Sequence, residues 1–355
     1  MAKRQRRGSQ RITMGDVARL ADVSPSTVSL YLRRPDEVSA RRAELIQSAI
    51  DRLGYLPNVM AGGLASSTSR VIGVIVPTIT NSFFSETLET LERHLRDAGY
   101  QLLIGNTEFD ATREEELVRS ILSWNPAGLV LTGFGHSRQT QRLLSQSGIP
   151  VVEMWDYGQT GLDMVVGFSH HDCGRLIAEH LLAQERLQTA FISTRFQRDV
   201  RARDRYHGFR NTIEAAGGTV VLRELSGRSH AEETGQLTNE LLRDHPDTAA
   251  IACSNDMVAL GVMFECQRQR LEIPADIALA GFGNLDFTTS TVPPLTTIEP
   301  PRHEIGQRTA RLLLDSLTRR IDDDERRLDL GVRLIVRQST QDNACALRDD
   351  HDRMP

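Results

Sequence analysis

Eight strand-sized apolar runs, separated by stretches with helical amphipathic spacing, leave few folds open to this chain. They are VIGVIVP (71–77), YQLLIGNT (100–107), AGLVLTG (127–133), IPVVEMW (149–155), MVVGF (164–168), TAFIST (189–194), AAIACS (249–254) and DIALAGFG (276–283). Between them lie patterns such as Leu88-Leu91-Leu95 and Leu176-Ile177-Leu181, whose spacing puts each set on one helix face. Nearly continuous apolar strands alternating with helices imply parallel sheets covered on both faces. This many strands predicts two doubly wound lobes with a ligand cleft at the carboxyl ends of the strands. All the runs are too short to cross a bilayer, so no membrane partner is expected.

The 355 residues carry their charge unevenly. Residues 1–70 hold 12 Lys and Arg against 6 Asp and Glu, while the remainder holds 30 against 41. A basic head on an acidic body points to a polyanion-binding module attached to something else. The basic start MAKRQRRGSQR has no apolar segment behind it and does not read as a secretory signal. The four cysteines, Cys173, Cys253, Cys266 and Cys345, form no C-x-x-C pair and suit a reducing cytoplasm.

Within the head, Val17, Ala18 and Ala21 have helical spacing. A turn follows at Ala21-Asp22-Val23, where Asp tolerates a left-handed backbone better than most residues. Ser24 reads as an N-cap and Pro25 as the first residue of a second helix. That helix buries Val28 and Leu32 and presents Ser26, Thr27, Ser29 and Leu30 outward, as suits a major groove. A third helix after Ser39 carries the stripe Ala43, Ile46, Ile50 and Leu53, with Arg33, Arg34, Arg41 and Arg42 placed for phosphates.

The segment ITMGDVARLADVSPSTVSLYL, followed by VSARRAELIQSAIDRLGYLPNVMAGGLAS, resembles the DNA-binding head of the lactose/galactose repressor family. The resemblance implies an α/β protein with a three-helix helix-turn-helix head, a hinge, and a two-lobed core similar to periplasmic sugar-binding proteins. Its expected boundaries are a basic tail (1–10), head (11–57), hinge (58–70), core (71–345) and frayed tail (346–355). The core would have chain crossings near 165–168, 293–300 and 328–332. The resemblance assigns DNA contacts to Thr13, Ser24, Pro25, Ser26, Thr27, Ser29, Asn58, Ala61 and Leu64. Leu64 stands where a family leucine wedges into the minor groove. Gly62 and Gly63 make a free helix there costly, so the hinge would fold on DNA. Leu30 stands where relatives often carry Arg.

In the core, VPTITNSFFSETLETLE, R-x-x-G-F at Arg205, SNDMVALG and VPPLTTIEPP extend the resemblance. It assigns effector contacts to Ser82, Phe83, Phe84, Phe168, Arg201, Arg205, Asn255 and Gly283, and puts Arg175 at the cleft; Asp256 would cap the following helix. Gly283 occupies the position where sugar-binding members carry an Asp, while RFQRDVRARDR adds Arg201 and Arg203. Removing a carboxylate and adding guanidinium favours an anion such as a sugar acid. Arg201 reads as a pocket residue. Arg203 stays open between the pocket and a solvated face paired with Asp199 and Asp204. The runs SRVIGVIVPTITN, ILSWNPAGLVLT and GIPVVEMWD resemble the gluconate-utilisation subgroup. The expected partners are near-palindromic operator DNA, a sugar-acid effector that releases the repressor from it, and a second copy of the chain in a homodimer; the alternatives are a neutral sugar or a corepressor as ligand and, further off, a sugar-binding transport protein.

FSHHD places two adjacent histidines without a third ligand at metal spacing. No G-x-S-x-G elbow or P-loop is present. Neither a cofactor, a metal nor an enzyme activity is expected.

Overall fold

A computed structural model describes residues 12–56, 69–79, 82–158, 161–226, 231–319 and 321–341; Asn58, Ala61 and Leu64 of the expected hinge lie outside the described residues. The chain forms two compact units, one ending at Ser69 and the other beginning at Arg70.

In the first unit, helix α1 (Met14–Leu20) opens on a capping box. Thr13 Oγ1 takes the Asp16 N–H, and the Asp16 carboxylate takes the Thr13 N–H at 2.9 Å. Asp22, at φ 53, makes the left-handed turn its residue type allows. Helix α2 (Pro25–Arg33) starts behind the Ser24 cap, and α3 (Ala40–Leu53) ends on left-handed Gly54. Val17, Ala18, Ala21, Val28, Ile46, Ala49 and Tyr55 form the small core. Thr13→Ala removes half the capping box at a cost of about 1 kcal/mol. Hydrogen exchange should show protection of the 14–20 amides falling roughly fivefold; unchanged protection would contradict this role.

The second unit holds two six-stranded sheets with the same strand order. The first runs β11-β5-β4-β3-β1-β2 and the second β12-β10-β9-β8-β6-β7. Strands β1 (Val71–Val76), β2 (Gln101–Asn106), β3 (Gly128–Thr132), β4 (Val151–Met154) and β5 (Met164–Gly167) are parallel in the N-lobe, joined late by β11 (Arg327–Asp329). Strands β6 (Gln188–Thr194), β7 (Thr219–Leu225), β8 (Ala250–Cys253), β9 (Ala278–Phe282) and β10 (Thr296–Glu299) are parallel in the C-lobe, closed by antiparallel β12 (Arg333–Ile335). The doubly wound α/β architecture read from the sequence is therefore present. β7 escaped that reading because TVVLREL is a half-exposed edge strand with polar interruptions.

The chain passes between lobes at 168–169, 300–301 and 330–332. The helix Arg302–Thr318 thus returns to the N-lobe, where Gly306 packs against the Thr87 carbonyl of the helix Ser82–Asp97. In the C-lobe the helices His170–Leu182 and Val200–Ala215 cross at two glycines. A Cβ on Gly174 would lie 1.9 Å from the Arg205 carbonyl oxygen, and one on Gly208 1.9 Å from that of His171. Only glycine permits backbones this close.

Candidate functional site

A cavity of about 110 Å³ opens at the carboxyl ends of β1 to β4, where a doubly wound sheet places its ligands. Thr107, Thr132, Gly133, Asp110, Glu114 and Asp156 line its N-lobe wall, and Arg198, Val200 and Arg201 close it from the C-lobe. Of the residues expected at the effector site, Arg201 alone lines this cavity. The others gather beside it or serve elsewhere.

Arg205 is 6% exposed and sits on the helix Val200–Ala215. Its Nη1 donates to His170 Nδ1 at 2.9 Å, its Nη2 to the Ser254 carbonyl at 3.0 Å, and its guanidinium lies 4.1 Å from the Phe282 ring centre. Its Nε has no hydrogen-bond partner among the described residues, and no carboxylate there lies within 4 Å. Burial lowers its pKa from the ordinary arginine value. His170 donates from Nε2 to the Trp155 carbonyl at 2.9 Å. Burial first, then Arg205 and Arg201, hold its pKa well below the usual value, so it is neutral and accepts at Nδ1. His170 is thereby a satisfied buried side chain, and among the described residues no three His, Cys, Asp or Glu side chains gather as metal ligands would.

An aromatic seam fills the junction of the lobes. Phe84 meets Trp155 at 4.9 Å, Trp155 meets Phe168 at 5.8 Å, and Phe83 meets Phe282 at 5.9 Å. Phe83, Phe84 and Phe168 are buried in this seam and line no open wall. Gly283, at φ 133, lies under Phe83, whose Cε1 would be 1.7 Å from an added Cβ. Its N–H bonds the Ile298 carbonyl, and its own carbonyl accepts from Arg302. A phenyl ring thus fills the space beside Gly283, which is not among the residues lining the cavity.

Two further expectations need correction. Asn255, not Asp256, caps the helix Asp256–Gln269, taking the Val258 N–H on Oδ1 at 3.0 Å. Asp256 instead ties two loops, accepting from Thr297 Oγ1 and the Leu285 N–H; burial raises its pKa to about 6. Arg175 pairs with Asp172 and Glu179 along its own helix and does not reach the cavity. Arg203 is half-buried and donates from Nη1 to the Gln197 carbonyl at 2.8 Å, and it is not among the residues lining the cavity. Ser82 begins the helix Ser82–Asp97.

Sequence reasoning missed Trp155, Asp156 and Arg198. Trp155 is buried with φ 68, and its Nε1 has no partner among the described residues. A left-handed backbone costs a bulky residue energy and is held there by the surrounding packing. The signal available was position, since Trp155 and Asp156 directly follow β4. Behind the wall, His136 sits between Glu114 (2.8 Å) and Glu153 (3.3 Å). Burial alone would lower its pKa, but the two carboxylates hold it at about 9.

In the head, hydroxyls gather at the start of α2: Ser24 Oγ lies 2.7 Å from Ser26 Oγ and 2.8 Å from Thr27 Oγ1. Ser24, Pro25 and Ser26 are exposed, Thr27 and Ser29 half-buried. Thr13 is exposed at the start of α1. Arg41 and Arg42 are exposed at the start of α3.

Comparison with known proteins matches both units. Residues 13–58 fit the description "Bacterial regulatory proteins, lacI family", and residues 178–340 "Periplasmic binding protein-like domain". The chain is 38% identical over 339 residues to the HTH-type transcriptional regulator GntR of Pseudomonas aeruginosa, covering 94% of this chain and 97% of that one. A LacI-family transcriptional regulator from Silicibacter pomeroyi superposes with a TM-score of 0.87 at 32% identity, covering 93% and 100%. A GntR regulator from Chromobacterium violaceum gives a TM-score of 0.71 at 35% identity, covering 76% and 99%.

Proposed function

The chain belongs to the lacI family of bacterial regulatory proteins, and on that premise we propose a repressor released from a near-palindromic operator when a sugar acid, gluconate or a close relative, enters the core. Members of this family are DNA-binding transcriptional regulators, not enzymes. One observation carries the choice of effector: Arg205 is buried with no carboxylate partner and an unspent N–H among the described residues, one helix turn from Arg201, which with Arg198 closes the cavity. A buried guanidinium is stabilised by an oxyanion that matches its fork. A neutral sugar would leave that charge uncompensated.

The head supplies the operator contacts. Ser26, Thr27 and Ser29 on α2 reach base edges, Thr13, Ser24 and the arginines fix register on phosphates, and Pro25 at the start of α2 makes apolar contact with the DNA. Asn58, Ala61 and Leu64 would form the hinge contacts. Palindromic half-sites require two heads. Met257 and Phe264, two turns apart on one face of the helix Asp256–Gln269 and 42% and 45% exposed, offer an apolar surface for a second copy.

The test is fluorescence anisotropy of the full chain on an operator selected from random-sequence DNA. Affinity should fall about a thousandfold or more between roughly 50 and 200 mM salt. Gluconate should weaken binding by about 5- to 150-fold, the usual range of allosteric coupling, and glucose should not. Tighter binding with gluconate would make it a corepressor, and release by glucose would discard the sugar-acid reading.

A further inference from the structure

We infer that Asp156 is a specificity-determining residue of the effector cavity, and that the core takes up one proton at this carboxyl for each sugar-acid anion it binds. The inference rests on the sugar-acid reading above.

The charges around the cavity are already matched, with one exception on each side. Arg201 lies 3.5 Å from Asp199. Arg198 lies in the field of Asp110, whose Oδ1 also caps the helix Ala111–Leu122. Glu114 is held by His136. Arg205 remains a buried cation, and Asp156 a buried carboxyl, each without an ion-pair partner within 4 Å among the described residues.

Asp156 is 7% exposed and faces the cavity in a fixed way. Its Oδ1 takes the Tyr157 N–H at 2.9 Å. Its backbone packs on Gly167, where an added Cβ would lie 2.4 Å from the Asp156 N and O. Its Oδ2 and Arg201 Nη1 flank Gly133, 3.6 and 3.5 Å from where a Cβ would stand. An anion drawn to the arginines therefore arrives beside this carboxyl. From the helix Val200–Ala215, Arg201, Arg205 and Asp204 act on it; from the helix His170–Leu182, Cys173 lies in its field and neutral His170 stands behind Trp155. Two adjacent carboxylates in a buried site cannot both stay ionised cheaply. Protonation removes the repulsion and turns Oδ2 into a donor for the effector carboxylate or a neighbouring hydroxyl. The proton comes from solvent, and no covalent bond changes.

The free protein is poised for this exchange. Burial raises the Asp156 pKa, Arg201, the Tyr157 N–H and Arg205 oppose it, and Asp204 adds to the rise, leaving it at about 7. Bound anion raises it further. Below both values the carboxyl is protonated with or without effector, so affinity is flat and highest. Between them affinity falls by up to about tenfold per pH unit, and above both it is flat and lowest.

Calorimetry of the full chain with gluconate, in two buffers of different ionisation enthalpy, counts the protons. The expected uptake approaches about one per site near pH 8 and vanishes near pH 6. Asp156→Asn should abolish uptake and level the affinity, so that at pH 8.5 the variant binds tighter than the unsubstituted protein. Binding with buffer-independent enthalpy at every pH would overturn the inference and leave the effector reading standing. An unchanged proton count in Asp156→Asn would also overturn it. No gluconate binding at any pH would overturn both.

Discussion

Arg205→Ala leaves the protein on its operator at gluconate concentrations that release the unsubstituted chain. Truncating one member of a buried, hydrogen-bonded charge pair costs about 2–5 kcal/mol, a loss of roughly 30- to 5,000-fold in effector affinity. The substitution also strands the Ser254 carbonyl and His170 Nδ1, which the guanidinium now satisfies. Each buried acceptor left alone costs about 1–3 kcal/mol, so thermal stability falls as well. Arg205→Lys separates the two effects. It keeps a cation but loses the fork that bonds His170 and Ser254 together. Anisotropy with and without gluconate reads the response, and normal release in both variants would remove Arg205 from the effector site.

The second large effect is expected at Gly174→Ala. The new methyl would stand 1.9 Å from the Arg205 carbonyl oxygen and 2.6 Å from the Phe209 nitrogen. Those are backbone atoms and cannot rotate away, so the helices His170–Leu182 and Val200–Ala215 must separate. The cost lies at the upper end of overpacking, about 3 kcal/mol or more. For a unit this size that lowers Tm by roughly 6–12 °C. Because the displaced helix carries Arg201 and Arg205, effector affinity should fall while the head, a separate unit, keeps its fold. Calorimetric scanning reads the first effect, and an unchanged Tm would mean that the crossing relaxes elsewhere.

The sequence exposes what is local and hides what is tertiary. The left-handed Asp22, the Ser24 cap and the Pro25 start follow from residue type alone, and each is present. Apolar runs marked the central strands because such strands are buried on both faces. Arg205 was legible through R-x-x-G-F, since Gly208 marks the close crossing that places it. Asp156 was not legible: a single acid after a strand acquires meaning only when the C-lobe brings Arg201 across Gly133. The surroundings of Gly283 were hidden for the same reason. Its missing side chain is matched by Phe83, some two hundred residues earlier in the chain. Asn255 and Asp256 were exchanged because adjacent residues with similar capping propensity are told apart only by the loops Asp256 ties.

The return of the helix Arg302–Thr318 and of β11 to the N-lobe sets an order on synthesis. A ribosome delivers the head first and β1 to β5 soon after. The N-lobe nevertheless lacks a helix and an edge strand until nearly the whole C-lobe has emerged. The head is thus complete in the nascent chain long before the effector cleft is. A message cut short after the C-lobe's β10 yields a polypeptide able to fold its DNA-reading end but not the part that answers to a ligand.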